Sequence, residues 1–174
     1  MEGNVTLEEM LFFREEKVRR QDELRREHEG GTVVALGMNI PGPRKISPAV
    51  LKAFHAGGDA LSEVLAREGL QILAEDVIME KQGYLKLYAV GSPDPLSVKK
   101  ITVRLEETHP LGRLFDIDVY DEAGRGLGRE ELGAPPRRCL ICGKDGKLCG
   151  RNRSHTVEAL YARVEEIIDM WLNV

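Results

Sequence analysis

Apolar residues alternate with polar ones in some stretches of this chain and recur every third or fourth position in others. The switches between the two periods mark out its elements. Thr6-Leu7-Glu8-Glu9 has the form of a capping box and opens a helix with an apolar stripe at Leu7, Met10, Leu11 and Val18. From Arg14 to Glu29 this helix is so densely charged that a solvated face is expected, and Gly30-Gly31 ends it. Thr32 to Met38 reads as a buried strand and runs into the turn-rich loop Asn39-Ile40-Pro41-Gly42-Pro43-Arg44-Lys45. Ser47 as N-cap and Pro48 at the first helical position start a helix carrying Val50, Leu51, Phe54, Leu61, Val64 and Leu65, which Gly57-Gly58 would bend or split.

Leu70 to Met79 and Tyr84 to Val90 read as two strands joined around Lys81-Gln82-Gly83. Leu96 to Thr108 fits either period; the cap at Asp94-Pro95 and the stop at His109-Pro110 decide for a helix. A strand follows at Leu114 to Val119. Tyr120 to Gly128 is turn-like, residues 129–150 are loop-rich, and Thr156 caps a last helix striped by Val157, Leu160, Tyr161, Val164, Ile168, Trp171 and Leu172. Interspersed helices and strands over 174 residues point to a single α/β (α+β) domain, a mixed sheet flanked by helices, with a charged N-terminal helix (1–30), a Cys/Arg-rich loop segment (137–155) and a C-terminal helix (156–174).

Charge narrows the function classes. The net charge is −4 and the sequence pI about 5.7, where a general nucleic-acid binder is more often basic. No apolar run is long enough to cross a bilayer, and the mixed-charge start is unlike a signal peptide, so a cytoplasmic protein that touches neither membrane nor nucleic acid is expected. Three cysteines form no disulfide framework by themselves and read as thiols or metal ligands.

Candidate chemistry is concentrated after His109-Pro110. In Leu114-Phe115-Asp116-Ile117-Asp118-Val119 the two acids project from one face of a strand that the apolar residues anchor. Two close anions in an apolar setting call for a positive partner, and Mg²⁺ suits carboxylate oxygens; a solvated strand end is the plainer alternative. Gly112 and Arg113 form the turn before the strand, and Arg113 has the planar fork that meets phosphate. Glu106 is the nearest candidate for a third carboxylate, and like Glu107 it could equally be a solvated helix acid. Cys139, Cys142, Cys149 and His155 supply four soft ligands in one short segment. They would make a closed, structural Zn²⁺ site or else remain free thiols beside a histidine. Arg137, Arg138, Arg151 and Arg153 flank them as a phosphate cradle or as surface ion-pairing groups. The loop from Asn39 to Lys45, between a strand and a helix N-terminus, is a potential anion site without P-loop spacing. His28 and His55 read as surface or packing histidines.

The run His-Pro-Leu-Gly-Arg-Leu-Phe-Asp-Ile-Asp-Val, followed by Arg-Arg-Cys-Leu-Ile-Cys and then Cys-Gly-Arg-Asn-Arg-Ser-His, with the earlier Asn-Ile-Pro-Gly-Pro loop, resembles the citrate lyase holo-acyl-carrier-protein synthases, also called apo-citrate lyase phosphoribosyl-dephospho-CoA transferases. The likeness extends from about Val33 to the last helix, and the N-terminal helix matches in character only. It implies a nucleotidyltransferase-like fold. It also implies transfer of 2'-(5''-triphosphoribosyl)-3'-dephospho-CoA to a serine of the citrate lyase acyl carrier (gamma) subunit, with release of pyrophosphate. By the same resemblance Asp116 and Asp118 would hold metal, Gly112 and Arg113 would form the turn before them, and Asn39, Pro41, Gly42 and Lys45 would lie near the substrate. The residue types themselves agree with this chemistry: Arg113, Lys45 and the cluster of Arg137, Arg138, Arg151 and Arg153 would take remaining phosphate charge. Two alternatives stay open: the same chemistry on another carrier of the malonate decarboxylase type, or a zinc-knuckle binding module without catalysis.

Overall fold

In the computed structural model, which describes residues 4–173, one antiparallel sheet organises the chain. Residues 1–3 of the charged N-terminal segment and residue 174 of the C-terminal one lie outside the described residues. The elements are α1 (Leu7–Glu27), β1 (Thr32–Met38), α2 (Pro48–Arg67), β2 (Ile72–Glu80), β3 (Gly83–Val90), α3 (Pro95–Thr108), a 3₁₀ turn (Gly112–Leu114), β4 (Phe115–Tyr120), a second 3₁₀ turn (Arg129–Leu132), α4 (Gly146–Arg151) and α5 (Val157–Leu172). The expected caps are in place: Thr6 with Glu9, Ser47 before Pro48, Asp94 before Pro95, and Thr156.

The sheet order is β2-β3-β1-β4 and every neighbouring pair is antiparallel. The α+β class holds, but the expected mixed sheet does not. A parallel pair forms when a helical crossover returns the chain beside the strand it left. Here β3 sits between β1 and β2, and β1 sits between β3 and β4, so both crossovers skip one position, as in a split β-α-β unit.

Strand alternation divides the interior. Val34, Leu36, Tyr88, Val90, Phe115, Ile117 and Val119 face α2, α3 and α5, whereas Val33, Ala35, Leu85, Leu87 and Ala89 face α1. Helix α2 runs unbroken through Gly57-Gly58. A Cβ at Gly57 would lie 2.8 Å from a ring carbon of the fully buried Phe115, so the glycine is there for close helix–strand approach and not for a bend. Gly57→Ala should therefore destabilise the protein by about 1–3 kcal/mol in urea unfolding, although alanine is the better helix former. A neutral or stabilising result would show that α2 does not press on β4 in this way.

Helix α1 is attached differently from expectation. Leu7, Leu11 and Val18 stand in solvent, Leu7 at 76% exposure, and the buried residues are Gln21 and Leu24. Ion pairs add to the packing of Leu24 and Phe13 on the sheet: Arg20 to Asp76 on β2 at 2.9 Å, Lys17 to Asp118 on β4 at 2.8 Å, and Glu9 to Lys81. The charged run is thus partly a contact face. On α5, Tyr161, Val164, Ile167 and Ile168 are buried, while Val157 and Leu172 at its two ends are exposed.

Candidate active site

The edge strand β4 carries the site. Its backbone groups at Ile117 that turn away from β1 do not face water. The Ile117 N–H donates to Glu106 Oε1 at 3.0 Å, and the Ile117 carbonyl accepts from Lys99 Nζ at 3.0 Å. Both side chains come from α3 and are buried; burial lowers the Lys99 pKa, and the nearby Glu106 charge opposes that shift. Glu106 Oε2 accepts from Arg129 Nη2 at 2.6 Å, and Arg129 Nη1 reaches Glu107 at 2.9 Å. Arg137 completes the edge: its guanidinium donates to the Phe115 carbonyl and lies 3.3 Å from Asp116 Oδ1. The turn feeding β4 is held tight by Gly112, where any Cβ would collide with the Glu106 carbonyl of α3.

Asp116 and Asp118 share the face away from the main core, as alternation requires. They stand opposite Gly37 and Ala35 of β1, two residues with little or no side chain, of which Ala35 is covered by α1. Their side chains are 57% and 43% exposed. Their environments differ. Asp116 is raised above the ordinary aspartate value by burial and by the neighbouring Asp118 charge, against the pull of Arg137 and Lys17. Burial also pushes Asp118 up, but Lys17 outweighs it by charge and hydrogen bond, with help from Lys99 and the Tyr120 hydroxyl, so Asp118 is lowered. The Lys17–Asp118 contribution is therefore fully present above the ordinary value of 3.8 and is lost as pH falls through the lower folded value. Replacing Lys17 with Met should cost about 0.2–1 kcal/mol at neutral pH, because Asp118 is nearly half in solvent. The difference in thermal midpoint between wild type and variant should close as the pH drops below 3.8. A difference that persists at the acid end would mean that Lys17 acts through packing of its stem.

Beside the carboxylates opens a cavity of about 650 Å³ that Asn39, Pro41, Arg113, Arg138, Lys147 and Arg153 help to line. Arg113 makes no ion pair among the described residues. Burial, then the charges of Arg137 and Arg129, pull its pKa below the ordinary arginine value, which is the environment of a cation that lacks an anion. The far wall is the cysteine segment. The donor atoms of Cys139, Cys142, Cys149 and His155 all lie within 4.8 Å of one another. Cys142 Sγ and Cys149 Sγ are 3.4 Å apart, and all three thiols are free. Burial raises the Cys139 thiol, but backbone N–H groups of Cys142 and Ile141 more than reverse that, while Cys149 is pushed up to about 11, first by its sulfur contact with Cys142. His155 Nε2 is buried without a hydrogen-bond partner. A metal ion would satisfy that nitrogen, and the donor set is able to hold one. Asp116, Asp118 and Glu106 do not form a comparable three-donor cluster among the described residues.

A family model described as apo-citrate lyase phosphoribosyl-dephospho-CoA transferase matches residues 5–171. The chain belongs to this family. Relatives carrying the name "Probable apo-citrate lyase phosphoribosyl-dephospho-CoA transferase" include one from Vibrio cholerae serotype O1. It is 35% identical over 164 residues, 94% of this chain and 92% of the relative. Another, from Streptococcus pyogenes serotype M18, is 37% identical over 172 residues, 97% of this chain and 88% of the relative.

Within this transferase-family chain the expected site residues separate into two groups. Asp116, Asp118, Arg113, Asn39, Pro41, Arg138, Arg153, Glu106, Cys139, Cys149 and His155 all border the one cavity, and Cys142 stands behind it with the other sulfur ligands. Lys45, Gly42, Gly112 and Arg151 do not border it. The Lys45 amine is spent on the Ile40 carbonyl at 2.6 Å, within its own loop. Gly42, at φ +73°, is pressed against Val157 of α5 and so seats the loop on that helix. Arg151 is exposed at the end of α4. Lys17, Lys99, Arg129 and Arg137 were not singled out as site residues by the sequence pattern alone, except that Arg137 belonged to the arginine cluster. Glu106, a candidate metal ligand by sequence, has both oxygens committed to Ile117 and Arg129. No helix among the described residues is long and apolar enough to cross a membrane.

Proposed function

We propose that this chain, as a single nucleotidyltransferase-like domain, transfers the 2'-(5''-triphosphoribosyl)-3'-dephospho-CoA prosthetic group to a serine of the apo acyl carrier subunit of citrate lyase. The serine oxygen forms a bond to the α-phosphorus, the bond from that phosphorus to the bridging oxygen breaks, pyrophosphate leaves, and the serine proton is lost. The observation that carries the reading is the family match over residues 5–171. The cavity supports it, with two carboxylates and a surplus of arginine and lysine around one space.

Asp116 and Asp118 would hold Mg²⁺, which commonly uses one or two carboxylates and completes its shell with substrate phosphates and water. When bound, Mg²⁺ supplies neutralisation of polyphosphate charge and eases deprotonation of the serine hydroxyl. The chain's own residues do the rest. Lys17 keeps Asp118 ionised and oriented, Arg137 does the same for Asp116, and Arg113 offers its free guanidinium to a phosphate. Cys139, Cys142, Cys149 and His155 fit Zn²⁺ as a structural ion, since four protein donors leave no open position. Reduced thiols and a carrier-protein substrate suit a cytoplasmic location.

Intact mass spectrometry of purified apo carrier tests this, after incubation with the protein, Mg²⁺ and triphosphoribosyl-dephospho-CoA. The expected result is a mass gain equal to the prosthetic group, dependent on donor and on Mg²⁺. No gain would overturn the assignment, and a gain confined to a malonate decarboxylase carrier would move the acceptor while keeping the chemistry.

A further inference from the structure

Residues 137–155 form one wall of the cavity, and apart from the Arg137 grip on β4 and Leu140 against the core, little ties them to the rest of the fold. Cys149 is the one buried residue among them, and the apolar side chains of Ile141 and Leu148 point into solvent. The segment carries six Lys and Arg residues against one Asp, whereas the remainder of the chain carries 19 against 28 acids. Arg138, Lys147 and Arg153 line the cavity and make no ion pair among the described residues. Leu140 packs against the main core, but a stretch with so small a hydrophobic anchor and with like charges facing one space loses conformational entropy on ordering and gains little in return.

What the segment does have is convergence on one point. The Cys139 N–H donates to the Lys144 carbonyl at 2.7 Å, the Gly146 N–H to the Arg137 carbonyl at 2.9 Å, and the Ser154 N–H to the Cys149 carbonyl at 3.1 Å. These bonds wrap the chain around three sulfurs and the partnerless His155 nitrogen. The arginine that grips β4 precedes Cys139 by two residues, and its Nε is buried without a partner. The position of its guanidinium on Asp116 and Phe115 thus depends on where the sulfur cluster holds the chain.

We infer that a Zn²⁺ ion held by Cys139, Cys142, Cys149 and His155 is the ordering device of the polyphosphate-binding wall, so that zinc occupancy sets the affinity of the cavity for polyphosphate. The inference rests on the proposed zinc centre and the proposed phosphate role of the cavity. Thiolate and imidazole donors select Zn²⁺ over hard cations, and the Mg²⁺ proposed for Asp116 and Asp118 would not replace it.

The test uses the full chain in four forms: zinc-loaded, stripped with a chelator, stripped and re-supplied with zinc, and zinc-loaded Arg138→Ala/Arg153→Ala. Metal content, hydrogen exchange and binding of Mg²⁺–inorganic triphosphate by calorimetry are read on each. One zinc per chain is expected. Stripping should remove exchange protection from residues 137–155 but leave it in β1 and β3. If the ordered wall is then populated about a tenth of the time, the triphosphate Kd rises about tenfold. Zinc should restore both, while the double arginine variant keeps zinc and protection but loses affinity. Failure to retain zinc, or equal protection of 137–155 with and without it, would overturn the inference. Failure of triphosphate to bind the zinc-loaded wild type would overturn the phosphate role of the cavity and with it the link to zinc. Neither result is the same as a failed transfer to the citrate lyase carrier, which reads the proposed reaction separately.

Discussion

Asp116→Asn should lower prosthetic-group transfer by about 100- to 1,000-fold, the scale seen when one preorganised electrostatic group is lost from a reaction centre. The amide keeps the volume of the carboxylate and can still accept from Arg137 through Oδ1. Removing it leaves β4, the 3₁₀ turn and the arginine wall in place, so the thermal midpoint should change little. What disappears is half of the charge that would hold Mg²⁺. The pH dependence should carry the same signature. Burial and the Asp118 charge make Asp116 harder to ionise than an ordinary aspartate, and the carboxylate must be ionised to bind a cation. At Mg²⁺ well below saturation the acid limb of the wild-type rate profile should accordingly lie above 3.8, and added Mg²⁺ should move it down. Wild-type transfer rates in the folded asparagine variant would exclude Asp116 from the reaction and remove the main physical support for the Mg²⁺ proposal.

The largest loss of stability is expected at Glu106. Its side chain is 4% exposed and pairs with Arg129, itself only 14% exposed, while the other oxygen caps the Ile117 N–H. Glu106→Ala would leave the buried Ile117 amide without its acceptor and the mostly buried Arg129 guanidinium with only the exposed Glu107 as partner, a loss of about 3 kcal/mol, the lower end of what breaking a buried pair from one side costs. Urea unfolding should show that loss. Glu106→Gln keeps an acceptor for Ile117 and should lose less. This pair of variants also decides between two roles for the residue. A metal ligand would leave the glutamine variant stable and inactive, whereas a positioning residue would give variants whose activity follows their folded fraction.

Much of the architecture could be read from local pattern. The caps at Thr6, Ser47, Asp94 and Thr156 place helix starts, and the alternation in Phe115-Asp116-Ile117-Asp118 places both acids on one face, because each is decided within a few residues. The cysteine and histidine spacing likewise brings four donors together within one segment. The partners of the carboxylates were not legible. Lys17 lies 101 residues before Asp118, and Arg137 lies 21 after Asp116, so no local period connects them. In α1 the visible stripe was misleading: Leu7, Leu11 and Val18 share a face, but the helix is rotated to present Lys17, Arg20 and Leu24 to the sheet. Mixed and antiparallel sheets can be built from the same order of helices and strands, so strand order had to come from the fold itself.

The capping of Ile117 by Lys99 and Glu106 constrains how a protein substrate can approach. An edge strand ordinarily offers its free backbone groups as a template on which another chain can add a strand. On β4 that template is blocked at Ile117 by α3 side chains and at Phe115 by Arg137. The sheet's other edge is β2. A carrier that presents a serine beside Asp116 would therefore have to reach it through the cavity mouth and not by adding a strand to β4, leaving the sheet of this protein no wider than it found it.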